Sequence, residues 1–174
     1  MAVVLYMTVS QDGFIATPED ETPWDDASWE SFRQFVSSCD VVLLGRRTFE
    51  IMRDQNEFVS GPRYIVVTEN EDLNVGDYTA RAIRTGQDIP HADRVGIIGG
   101  GELNGRLARL GLLDEMILDI ESITLHEGIR LFGKYDVPLK LKLLGSRQLS
   151  EATVQRHYQI IKPGSPDDAV LLSS

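Results

Sequence analysis

Three groups of residues in this chain have types and spacings that could do chemistry. Two are glycine-bearing turns, "VVLLGRRTFE" around Gly45 and "VGIIGGGELNGRL" around Gly99, Gly100 and Gly101, each placed where an apolar run gives way to helical spacing. A strand-to-helix turn of this kind offers unpaired backbone N–H groups and the positive end of a helix dipole, which together suit an anion such as phosphate. In the first turn Arg46 and Arg47 add charge and Thr48 adds a hydroxyl. That is a local positive patch on a chain whose formal net charge is -10. The third group is acidic: Asp25 and Asp26 stand just before an amphipathic stretch and Glu30 stands within it. A carboxyl there could deliver a proton to a bound ring, or simply complement the dipole at a helix N-terminus.

Several other chemistries are excluded or unsupported. The single cysteine, Cys39, rules out a disulfide framework and cysteine-rich zinc sites, and it points to a reducing, cytoplasmic setting. His91, His126 and His157 are isolated from one another in sequence, so no metal site is expected. The acidic balance argues against nucleic-acid and anionic-membrane partners. No apolar run approaches the length of a membrane span, and the opening "MAVVLYMTVS" lacks a basic leader and reads as a buried strand. The usual dinucleotide fingerprint belongs in the first strand–helix unit, whereas "GGGELNG" comes near the fifth strand; a Gly-Lys-Ser/Thr phosphate loop is also missing.

The elements that must position these residues follow from periodicity. Buried strands are expected at 2–9, 41–45, 63–68, 79–84 and 94–98. Helices are expected over "SWESFRQFVSS", with Ser28 as N-cap and Trp29, Phe32 and Val36 on the inner face, over "RTFEIM", and over "GELNGRLARLG" ending at Gly111. This alternation implies a mostly parallel central sheet flanked by helices, an α/β fold. In the last third "DEMILDIES", "LKLKLL" and "ATVQRHYQII" alternate apolar and polar residues, as a C-terminal antiparallel hairpin would. One domain over 1–162 and a loose polar tail over 163–174 are the expected organisation. In parallel sheets, ligands bind at the carboxyl ends of strands, where both glycine turns fall.

In register along about residues 3–160, "YMTVSQDGFIA", "TPWDDASWESFRQF", "DVVLLGRRTFE", "RYIVVTEN", "IIGGGELNGRL" and "GLLDEMILDI" followed by "HEGIRLFG" resemble the dihydrofolate reductase-like family. Within it they resemble the reductase (RibD C-terminal) domains of riboflavin biosynthesis. The resemblance implies NADPH as cofactor and hydride transfer to a small pterin-like or pyrimidine-like heterocycle, as in 5-amino-6-(5-phosphoribosylamino)uracil reductase activity. It implies that Gly99, Gly100 and Gly101, with flanking Ile98, Glu102 and Leu103, admit the pyrophosphate and nicotinamide side, and that Gly45, Arg46, Arg47 and Thr48 hold the phosphates opposite. Thr8 and Ile15 would flank the nicotinamide, and Thr68, Glu69 and Asn70 would meet the adenosine ribose. Asp12, in the turn after the first strand, and Trp24, a ring able to stack, are the candidate substrate contacts.

The chain departs from the family at three points. Ser28 or Trp29 stands nearest the position of the folate-reducing members' carboxylate, leaving Asp25, Asp26 or Glu30 as proton donor. Ile98 replaces the acid that precedes the glycine pair in riboflavin-pathway reductases, and Glu69 places a negative charge where a 2′-phosphate would want a cation. A cofactor-binding protein without catalysis and a structural or interaction protein are the rival readings. Riboflavin-pathway relatives are typically dimers. The alternation that puts Leu139, Leu141 and Leu143 on one face and Lys140 and Lys142 on the other likewise favours a homodimer through the C-terminal strands.

Overall fold

The computed structural model describes residues 1–168; the last part of the expected tail, 169–174, lies outside the described residues. Up to residue 161 the strands and α-helices follow one another in the order β1 (Ala2–Ser10), β2 (Phe14–Ala16), α1 (Asp26–Ser37), β3 (Val41–Gly45), α2 (Arg46–Gln55), β4 (Arg63–Val67), β5 (Thr79–Arg81), β6 (Arg94–Ile97), α3 (Gly101–Arg109), β7 (Glu115–Glu121), β8 (Ile129–Arg130), β9 (Lys140–Gln148) and β10 (Thr153–Ile161). Eight strands form one sheet in the order β5-β4-β3-β6-β1-β7-β10-β9, while β2 and β8 pair separately. From β5 to β7 every pairing is parallel; β7–β10 and β10–β9 are antiparallel. The expected mostly parallel sheet with a C-terminal antiparallel hairpin is the observed one.

Continuous apolar runs such as Val41–Leu44 are buried on both sides, as strands covered by helices on both faces must be. On one face Tyr6, Phe35, Val42, Phe49 and Met52 pack together, which seats α1 and α2. On the other Leu5, Leu43, Ile97, Leu103 and Leu107 seat α3. The neighbours β3 and β6 therefore send their following helices to opposite faces, which makes the gap between their carboxyl ends the topological switch point of the sheet.

Some local expectations change. Helix α1 starts at Asp26 and is capped by Asp25, whose side chain accepts from the Ser28 N–H at 2.8 Å. Ser28 is not the cap; it sits inside the first turn and is buried, with Ser31 and Phe35 below it on the inward face. Trp29 is pushed to the edge of that face, where it meets Phe32 edge-on. Strand β5 stops at Arg81, three residues short of the expected end, and β2 and β8 are too short to show as periodicity. Helix α3 ends as expected, with Gly111 in the left-handed region at φ 71°. The described start of the tail is tied back to the sheet, because Lys140 donates to Asp168 at 2.6 Å.

Candidate active site

At the switch point the two glycine turns meet. The Gly45 N–H donates to the Gly99 carbonyl at 2.8 Å, which draws the ends of β3 and β6 together. Helix α2 starts from Gly45 and α3 from Gly100, and neither N-cap glycine supplies a side-chain oxygen to the orphan N–H groups. Two uncapped helix N-termini thus face one crevice of about 310 Å³, lined by Gly45, Arg46, Thr48, Gly100, Leu103 and Arg106. Unsatisfied donors, aligned dipoles and guanidinium groups in one place make an anion seat.

The three glycines have different reasons to be glycine. Gly99 needs its left-handed φ of 98°, and the peptide between Gly99 and Gly100 is cis. At Gly100 (φ -77°) a Cβ would meet nothing closer than the Thr48 Oγ1 at 3.5 Å, so the protein itself leaves room for a side chain there. At Gly101 a Cβ would lie 2.5 Å from the Arg130 carbonyl and 2.8 Å from the Gly133 nitrogen, a close backbone approach.

Arg47 and Thr48 also line a deeper cleft of about 690 Å³, so crevice and cleft adjoin. Thr8, Ile15 and Ile98 are among its lining residues, as are the aromatic Trp24, Trp29 and Phe32. The structure thus brings together Thr8, Ile15, Trp24, Arg47, Thr48 and Ile98 at the cleft, and Gly45, Arg46, Gly100, Glu102 and Leu103 at the crevice. Thr68, Glu69 and Asn70 follow Val67, the last residue of β4 and part of the crevice lining, but none of the three lines the crevice itself; only Glu69 reaches it, through Arg106. Glu69 is clamped there: Arg84 donates to one carboxylate oxygen at 2.6 Å and Arg106 to the other at 2.7 Å, and together they hold its carboxyl below the usual range. Arg46 pairs loosely with Glu50 at 4.0 Å, and Arg47 pairs with Asp20. The cations next to Glu69 are therefore Arg84 and Arg106, neither of them singled out by the glycine turns.

None of the three α1 acids lines the cleft. Asp26 and Glu30 are exposed, and Glu30 pairs with Arg33. Asp25 points to the C-terminal hairpin, accepting from Ser150 at 2.7 Å and Thr153 at 2.9 Å. Burial pushes its carboxyl up, but the hydrogen bonds from Ser150, the Ser28 N–H and Thr153 win and hold it at about 2. Asp12 also stands apart from the cleft: it accepts from Ser10 and from the Leu125 and His126 N–H groups, which lower it to about 2, Ser10 most of all.

Two buried acids from β7 do not line the cleft themselves but bond to residues that do. Asp119 lies beside Thr8 and Glu121 beside Ser10 in the parallel register, and both are buried. Asp119 accepts from Tyr6, a cleft residue, and from Gln155 at 2.8 Å; burial first, then the Asp119 charge, raises the Tyr6 hydroxyl far above its ordinary value. Glu121 accepts from the Asp25 N–H at 2.6 Å and lies 3.4 Å from the Ser28 hydroxyl, and Ser28 lines the cleft. Burial pushes the Glu121 carboxyl up; the bond from the Asp25 N–H opposes this, and the Asp25 side chain, by hydrogen bond and then by charge, adds to it. Adjacent carboxyls driven in opposite directions are a recurring arrangement for proton transfer. The signal for these residues was present in "ILDIES", where two acids occupy alternate, inward positions of an apolar strand.

Among the described residues no group of three or more His, Cys, Asp or Glu is arranged to hold a metal, and no helix is long and apolar enough to cross a membrane. No family model matches the chain. It is 29% identical over 167 residues to the uncharacterised protein YwjB of Bacillus subtilis, covering 89% of this chain and 95% of that one. Among solved structures, a putative riboflavin biosynthesis protein from Shewanella sp. PV-4 superposes with a TM-score of 0.77 at 18% identity, covering 93% of this chain and all of that one. Dihydrofolate reductase from Enterococcus faecalis, complexed with NADP(H), superposes at 0.72 and 18% identity, covering 92% and 97%. The chain has the dihydrofolate reductase-like fold, with riboflavin-biosynthesis and pyrimidine reductase-like proteins among its structural neighbours.

Proposed function

We propose that the protein is a cytoplasmic reductase that binds NADPH in the crevice and reduces a small, flat heterocycle in the adjoining cleft. The observation that carries this reading is the pair of uncapped helix N-termini at the switch point, beside a cavity that Trp24, Trp29 and Phe32 help to line. Gly45, Gly100 and the first N–H groups of α2 and α3 would hold the pyrophosphate, with Arg46 and Arg47 adding charge. Thr8, Ile15 and Ile98 would flank the nicotinamide, and Arg84 and Arg106, which hold Glu69, would meet the ribose end. When bound, the cofactor supplies the hydride. The chain supplies orientation and a proton: Glu121, kept high by burial, is joined to the cleft through the Ser28 hydroxyl, which can both accept and donate. Asp25 is the ionised partner that anchors this pair, and Asp26 and Glu30 remain in solvent.

Titration of tryptophan fluorescence with NADPH and NADH tests the reading, since Trp24 and Trp29 line the cleft. Arg46→Ala/Arg47→Ala is expected to weaken NADPH tenfold to a hundredfold, about 1.5–3 kcal/mol for charge-assisted contacts at an exposed rim. Unchanged affinity in the double variant, or no dinucleotide binding by the wild type, would remove the site assignment.

We further propose that the active form is a homodimer formed through β9. Every residue of this edge strand is exposed, and Leu141, Leu143 and Leu144 stand at 37%, 53% and 48% exposure. An edge with bare leucines is a pairing surface unless charge blocks it, and Lys140 and Lys142 are the residues that could do so. Light scattering is expected to give twice the 19.4 kDa chain mass. Leu143→Glu is expected to give the monomer with the fold intact. A wild type at the single-chain mass refutes the dimer.

A further inference from the structure

The charge around the cleft is one-sided. Six carboxylates line it: Glu19, Asp20 and Glu21 from the loop between β2 and α1, Glu50 and Asp54 from α2, and Glu57 just beyond. The one cation among the lining residues is Arg47, and it is already paired with Asp20. Glu50 has only its loose contact with Arg46, and Asp54 is held by Arg53 at 3.1 Å. Among the described residues no cation pairs with Glu19, Glu21 or Glu57. Glu57 is half-buried without a side-chain partner, and burial pushes its carboxyl up, as befits a negative charge that nothing inside the protein answers. Trp24, Trp29 and Phe32 also line the cleft, and an aromatic ring face favours a cation over an anion.

Charges of one sign around a low-dielectric cavity add their fields, so the cleft attracts cations and repels anions over its whole depth. The neighbouring crevice has the opposite character, with helix N-termini and Arg46, Arg47 and Arg106 against the single acid Glu102. The two halves of the site therefore sort ligands by charge: phosphates go to the crevice and are kept out of the cleft.

We infer that the cleft accepts a flat heterocycle that is neutral or positively charged, such as a protonated amino-substituted ring, and rejects substrates carrying a phosphate or carboxylate. This rests on the cleft being the substrate half of the proposed reductase site. It separates this protein's substrate class from phosphoribosyl-bearing pyrimidines, whose dianion would have to sit among the six carboxylates.

The test uses the full chain at pH 6 and low salt, with three rings of similar size as probes: 2,4-diaminopyrimidine (cationic), uracil (neutral) and orotate (anionic). Quenching of tryptophan fluorescence is expected to rank them in that order. The cation should bind at least about tenfold more tightly than the anion, and the gap should narrow as salt shortens the reach of the rim charges. The variant Glu19→Gln/Glu21→Gln/Asp54→Asn changes only exposed positions. It should keep the wild-type melting temperature and lose most of the preference. Orotate binding as tightly as the diaminopyrimidine, a preference that survives in the variant, or no binding of any probe at millimolar concentration overturns the inference. NADPH binding, measured separately, judges the reductase reading: the charge preference with no NADPH binding would sink that reading and leave only the cleft's preference among ligands standing.

Discussion

Gly100→Val is expected to leave the protein folded, with a melting temperature close to that of the wild type, and to lower NADPH affinity at least a hundredfold. The backbone at Gly100 is extended, a conformation that β-branched residues favour, and its Cβ direction is open, with the Thr48 Oγ1 at 3.5 Å as the nearest atom. The space that the valine would fill lies over the N-terminus of α3, where the proposed pyrophosphate accepts its hydrogen bonds. Two charge-assisted bonds to backbone N–H groups are worth about 1.5–3 kcal/mol each, so displacing the ligand from them costs two orders of magnitude or more. Gly101→Val is the control with the opposite outcome. Its Cβ would collide with backbone atoms of Arg130 and Gly133, at 2.5 and 2.8 Å, and neither neighbour is a side chain that can swing away. That variant should lose about 3 kcal/mol or more and melt well below the wild type whether or not cofactor is present. A Gly100→Val protein that unfolds, or that binds NADPH normally, would remove the crevice from the mechanism.

Asp25→Ala carries the second large effect, on stability. Asp25 caps α1 and accepts from Ser150 and Thr153, so one carboxylate ties the first helix to the C-terminal hairpin. Loss of the cap costs about 1 kcal/mol, and each hydrogen bond to the charged group about 1.5–3 kcal/mol. With incomplete additivity, the total is about 3–5 kcal/mol. For a chain of this size that corresponds to a fall in melting temperature of about 8–15 °C. The pH dependence has a definite sign. The folded carboxyl sits at about 2, below its ordinary 3.8, so its contribution is present above pH 3.8 and disappears as pH falls through about 2. Glu121 has the reverse sign: its raised carboxyl makes ionisation oppose folding as pH climbs past its ordinary 4.5. Acid titrations of the wild type and Asp25→Ala, followed by circular dichroism, should show the acid-side slope shrinking in the variant. A variant with unchanged melting temperature and slope would refute the anchoring role and return Asp25 to the pool of candidate proton donors.

The fold and the two glycine turns that start α2 and α3 were legible in the sequence because both are written in local terms. Apolar runs such as "VVLLG" announce buried parallel strands, and a glycine at the end of such a run, followed by helical spacing, announces a helix N-terminus without a side chain over it. The alternation in "LKLKLL" likewise announced the antiparallel hairpin and its exposed apolar edge. The proton-bearing groups depended on long-range packing. Asp119 and Glu121 sit more than eighty residues from Ser28, and only the parallel pairing of β7 with β1 brings them beneath α1. That the Asp25 carboxyl is lowered and the Glu121 carboxyl raised follows from burial and from partners such as Ser150 and Thr153, none of which leaves a periodic trace. Pairing decided the fate of Glu69 in the same way, since Arg84 and Arg106 reach it from separate elements. Electrostatic character is a sum over distance in space rather than along the chain. Hence a net charge of -10 could be read from composition, but its division into a cationic crevice and an anionic cleft arose only when the loop before α1 folded against α2.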